Sequence, residues 1–99
     1  MTYTDNRRDS NEAELVAFWR AAGCLWIPMN RLAGFDGLLV VPTKIGSGLF
    51  IVEVKRPGHA NLTQAERELR DKVEDMGGCY NVVQTVQDAA RLIGLEVSE

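Results

Sequence analysis

The chain predicts an α/β fold, a mixed β-sheet flanked by helices in the order helix, strand, strand, strand, helix, strand, helix. Two patterns carry that reading. The runs "FDGLLVVP" and "GLFIVEVK", rich in β-branched and aromatic residues, stand on either side of "TKIGS" as the arms of a hairpin would. Segments with apolar residues at helical spacing precede and follow them, so helices have a sheet to pack on.

Residues 1–9 read as a flexible polar arm and residues 10–99 as one domain. The first helix opens at Ser10 or Asn11, both good caps, and places Leu15, Phe18, Trp19 and Ala22 on one apolar face before Gly23 ends it. "CLWIPM" is a first strand closed by Pro28. After the hairpin, "RPGHAN" is a loop, and Thr63 with Glu66 three residues on forms a capping box. Leu62, Ala65, Leu69, Val73 and Met76 then follow at helical spacing to the stop at Gly77 and Gly78. "CYNVV" reads as a buried strand, and a last helix from Thr85 to Ile93 turns Val86, Ala89, Ala90 and Ile93 inward.

A chain of 99 residues suits one domain that buries somewhat over roughly 60% of its unfolded surface. Its 45% hydrophobic and 25% charged residues are the balance of a soluble globular protein. No apolar run approaches the roughly 20 residues that a membrane-spanning helix needs, and the polar start "MTYTDNRRDSNE" does not resemble a signal peptide, so a cytoplasmic protein is expected. Cys24, Cys79 and the lone His59 cannot make a four-ligand zinc site, and the thiols read as isolated and buried. A net charge of -3 argues against holding nucleic acid by bulk positive charge; an anionic partner has to be met by a local patch or through bound cations.

The strand "GLFIVEVK" carries Glu53 and Lys55 among apolar neighbours. Strand alternation puts both on one face with Leu49 and Ile51, and Phe50, Val52 and Val54 on the other. Pairing Pro42 with Leu49 sets Asp36 opposite Lys55 and leaves Asp36 and Glu53 as diagonal neighbours, with Cα atoms about 7–8 Å apart. Two carboxylates 4 Å apart repel by roughly 4 kcal/mol at an effective dielectric near 20. A divalent cation removes that repulsion. Oxygen ligands from Asp36, Glu53, the Val54 carbonyl and water suit Mg²⁺ or Mn²⁺, and Lys55 is in reach to orient or deprotonate a water. The same residues also suit an ordinary ion pair at the wet end of the strand.

Asp36 followed by Glu53-Val54-Lys55 in a hydrophobic strand resembles the PD-(D/E)xK nuclease superfamily, of restriction-endonuclease-like fold, and within it the compact VRR-NUC group. The likeness runs through "GFDGLLVV", "IVEVKRPG", "LTQAE" and "MGGCYNVV", over roughly residues 12–93; Phe35 stands where the superfamily's name has proline. The resemblance implies that Asp36 and Glu53 ligate the metal and that Lys55 positions the nucleophilic water. It implies that Glu12 is the first-helix glutamate contacting metal-bound water, and that Gln64 is the glutamine placed near the site. Glu12 shares a helix face with Leu15, Val16 and Trp19; Glu14 is the rival, though its offset from Asn11 also suits a cap.

The expected activity is that of a Mg²⁺- or Mn²⁺-dependent DNA endonuclease, selective for branched DNA such as Holliday junctions and acting as a homodimer. The alternatives are a nickase or flap nuclease of the same fold and a non-catalytic nucleic-acid-binding module. Arg31, Lys44, Arg56 and His59 are the candidate DNA-backbone contacts, with Arg7 and Arg8 extending the grip.

Overall fold

The computed structural model describes residues 11–30, 34–45 and 48–95. The expected arm, with Arg7, Arg8 and the cap candidate Ser10, lies outside the described residues, as does Arg31. The elements are α1 (Glu12–Ala21), β1 (Leu25–Pro28), β2 (Gly37–Val41), β3 (Gly48–Val54), α2 (Gln64–Asp75), β4 (Tyr80–Val83) and α3 (Val86–Leu92), in the order expected. The sheet is ordered β1-β2-β3-β4. Its first three strands form an antiparallel meander, and β4 joins parallel to β3 after the α2 crossover.

Each helix stops the same way, because a glycine at the first residue past the cap accepts a left-handed conformation that other residues resist. After α1, Gly23 (φ 96°) donates to Arg20 O and Cys24 to Trp19 O. After α2, Gly77 bonds to Glu74 O and Gly78 to Val73 O; after α3, Gly94 bonds to Arg91 O and Leu95 to Ala90 O. Helices α2 and α3 start on complete capping boxes, Thr63 with Glu66 and Thr85 with Asp88. Asn11 caps α1 only by position. Its side chain donates instead to Lys55 O (3.0 Å) and Gln84 O (2.8 Å), pinning the start of α1 to the ends of β3 and β4.

The sheet has two unlike faces. On one, Trp26, Leu39, Val41, Val52, Val54 and Val83 pack against Leu15, Val16 and Trp19 of α1 and Ala89 of α3. Trp19 stacks on Trp26 with ring centroids 5.3 Å apart and donates its indole N–H to Ala89 O. The other face is covered only in part. Its rungs Leu25/Val40/Leu49 and Ile27/Leu38/Ile51 are aligned by the pairing, and Leu25, Ile27 and Leu49 are exposed. Helix α2 lies at the β4 end of this face and has no buried residue; Leu69 and Val73 are half-buried, while Met76, placed on the inward spacing by the sequence, is 91% exposed.

Two further expectations are corrected. β4 is an edge strand and not a buried one: Tyr80 and Val83 are buried, but Val82 is exposed. The thiols are free, but only Cys24 is buried; Cys79 is exposed where the chain leaves α2.

Candidate metal and active site

The hairpin register differs from the expected one by two residues. Gly37 pairs with Val52 and Val41 with Gly48, where the expected register paired Pro42 with Leu49. A slip of two leaves every side chain on its face. Asp36 lies just before the ladder with its N–H on Val52 O, so it is not opposite Lys55; Glu53, next along β3, feels the Asp36 charge.

Asp36 is fixed from several sides. Its N–H donates to Val52 O (3.0 Å), its C=O accepts from Met29 N (2.9 Å), and its Oδ2 accepts from Val54 N at 2.7 Å. Glycines on both sides let neighbours close in. A Cβ on Gly37 would stand 2.4 Å from the Trp26 ring, and Gly34, at φ 87°, lies against Leu69 of α2. The Tyr80 hydroxyl donates to Gly34 O at 2.7 Å and ties that loop to β4.

Glu53 is only 5% exposed, so the arrangement is not a solvated surface pair. Its carboxyl meets Lys55 Nζ at 3.3 Å, and the same ammonium meets Glu66 Oε1 at 3.0 Å. Glu66 is near enough to Glu53 to raise it, and Glu53 in turn lowers Glu66. Burial first, then the Asp36 charge and Glu66, push Glu53 up to about 9 against the smaller opposing pull of Lys55. At neutral pH without metal Glu53 therefore keeps its proton, and its contact with Lys55 is a hydrogen bond more than an ion pair. Burial also acts to raise Glu66, but the Thr63 N–H, Lys55 and Glu53 outweigh it and hold Glu66 below the ordinary range. For Lys55, burial pulls downward and the two glutamates pull upward; the glutamates prevail, so it stays charged. Tyr80 feels the same negative field: burial, then Glu53, Glu66 and Asp36, push its phenol upward and keep it neutral.

A hard divalent cation suits this donor set. Among the described residues no three His, Cys, Asp or Glu side chains converge closely enough to ligate one ion. Mg²⁺ does not require that, since it commonly takes one or two carboxylates and keeps several waters. Asp36 and Glu53 would supply the carboxylates. The Val54 carbonyl lies on the same strand edge as its N–H, which already touches Asp36. Burial first, and then the charges of Asp36 and Glu66, disfavour an ionised Glu53, and a bound cation would offset both in place of the proton.

The other sequence candidates divide. Glu12 is buried in the first turn of α1, beside the anchor from Asn11 to Lys55 O, whereas Glu14 is exposed and Asn11 makes no side-chain cap for it to complete. Gln64 does not turn into the site: it is exposed, and its Nε2 donates to Glu68 Oε2 at 3.0 Å. Glu66 takes the place expected of it. The sequence signal was present in the capping box, but was read as serving the helix alone. Tyr80, read only as a strand residue, was also missed. Arg56 and His59 are exposed on the turn leaving β3, where His59 N bonds to Arg56 O. Lys44 is corrected as a flanking residue. It sits in the loop at the far end of the hairpin, about 17 Å of strand from Glu53.

No family model, curated protein or solved structure matches this chain.

Proposed function

We propose that the chain is a Mg²⁺- or Mn²⁺-dependent DNA endonuclease of the PD-(D/E)xK type, related to the VRR-NUC group, acting on branched DNA as a homodimer. The observation that carries the reading is the buried Glu53 carboxyl, within the field of Asp36 and in contact with Lys55. An exposed ion pair at the end of a strand needs no buried carboxyl, whereas a site that binds a hard cation has a use for one.

Asp36 and Glu53, with the Val54 carbonyl and water, would hold the ion. When bound, it supplies Lewis-acid polarisation of a phosphodiester oxygen and a water acidified toward neutral pH. The chain's own residues do the rest. The Val54 N–H holds Asp36 in its orientation, and burial strengthens each electrostatic contact within the site. The Lys55 ammonium remains charged, able to orient the attacking water or to donate to a phosphate oxygen as charge develops there. Arg56 and His59, exposed on the turn after β3, would meet the DNA backbone. A four-way junction has two equivalent strands to cut, which calls for two copies of the site and hence for a symmetric dimer.

Incubation of the protein with Mn²⁺ and a synthetic four-way junction tests the proposal. Paired nicks at symmetric positions are expected. Cutting confined to flaps or single strands of a duplex would replace junction selectivity by nickase or flap activity, and binding without cutting would make the chain a non-catalytic module. Lys55→Met lowers the cleavage rate by about 100-fold or more on this account, and an unchanged rate would remove Lys55 from the chemistry.

A further inference from the structure

The capping box of α2 contains more than it needs. Thr63 Oγ1 accepts from Glu66 N at 3.2 Å, and Glu66 Oε1 accepts from Thr63 N at 2.8 Å, which completes the cap. The same Oε1 also takes the Lys55 ammonium at 3.0 Å, closer than the 3.3 Å between that ammonium and Glu53 Oε2. Neither partner is well hydrated: the Lys55 and Glu66 side chains are 14% and 15% exposed. A lysine side chain has four rotatable carbons and little directional preference of its own, so where its ammonium rests depends on what receives it.

We propose that Glu66 is a positioning residue that holds Lys55 beside Glu53, and that the first turn of α2 is thereby part of the active site. The inference rests on the reading of Lys55 as the group that meets water or phosphate. One carboxylate oxygen is shared between helix cap and lysine, so the helix start and the ammonium are set by the same atom. Were Glu53 to ligate a cation, Glu66 would remain as the lysine's anchor. A cap alone would be satisfied by an amide as well as by a carboxylate; the hold on an ammonium would not.

Glu66→Gln and Thr63→Ala separate the two roles. Glutamine preserves the capping box but removes the charge facing Lys55, whereas alanine at position 63 removes the cap hydroxyl and leaves the carboxylate. For each variant, the melting temperature, kcat and KM for junction cleavage, and the side-chain ammonium NMR signal of Lys55 are measured. Glu66→Gln is expected to lower kcat by about 10–100-fold with little change in KM, at a temperature where the variant is fully folded, and to shift or broaden the Lys55 signal. Thr63→Ala is expected to lower the melting temperature while keeping kcat and the Lys55 signal close to wild type. A Glu66→Gln protein with wild-type kcat and an unchanged Lys55 signal would overturn the inference, as would loss of activity in both variants in proportion to lost stability. If wild-type protein cuts no DNA, the nuclease reading fails, and the Lys55 signal still decides whether Glu66 holds the lysine.

Discussion

Glu53 is the residue on which stability and chemistry meet. In the unfolded chain it loses its proton near an ordinary glutamate pKa, roughly 4.3. Folded, it keeps the proton until about 9, chiefly because it is buried and then because Asp36 and Glu66 are close. Between those values the folded state binds more protons, so this group makes stability fall as pH rises. Glu66 works the other way, since its lowered value gives stability that is lost as pH falls. Melting curves of metal-free protein from pH 5 to 9 should therefore fall less steeply with pH for Glu53→Gln than for wild type, and at pH 8 the variant should melt higher. Equal pH slopes would mean that Glu53 is already ionised in the fold. Saturating Mn²⁺ should remove most of the difference in slope, because the cation takes the proton's place.

Among the elements, the "GFDG" segment leading into β2 decides how accurately Asp36 is held. Gly37 lies under the Trp26 ring, and an added Cβ would come within 2.4 Å of that ring and 2.8 Å of Ile27 O. The second contact is backbone and cannot swing aside. Gly37→Ala should therefore cost about 1–3 kcal/mol in urea unfolding, and a cost near zero would mean that the tryptophan is not packed there. The same contact explains what the sequence could and could not tell. Alternation placed Asp36 and Glu53 on one face, because side-chain direction along a strand depends only on parity. The register could not be read from loop length, since both pairings leave the same number of residues between the strands; the close approach of Trp26 to Gly37 goes with the observed one and leaves no local signature. The capping box at Thr63 was readable, yet not the second use of its glutamate, since Lys55 comes from another part of the chain. Gln64 was assigned by resemblance; the helical turn instead points it outward to Glu68. α2 was expected to bury a continuous stripe, but it covers only the β4 side of its sheet face and leaves Met76 exposed.

For the molecule as a whole, the asymmetry of the sheet is the organising fact. One face holds the core with α1 and α3, so the acids on the other face can be arranged for charge without weakening the main packing. Surplus negative charge at that site should make divalent metal a stabilising ligand of the folded chain. Melting temperature should climb with the logarithm of Mn²⁺ concentration above the dissociation constant, and matched additions of sodium should not reproduce the rise. A flat response would leave the cluster as a buried hydrogen-bond network only.

The claim that Asp36 and Glu53 jointly hold one hard cation is tested most directly by titrating Mn²⁺ into wild-type, Asp36→Asn and Glu53→Gln proteins, with free ion followed by electron paramagnetic resonance. A single saturable site in the wild type, weakened by about 10-fold or more in each variant, is the predicted result. Absence of saturable binding in the wild type, or equal binding by all three proteins, would contradict it.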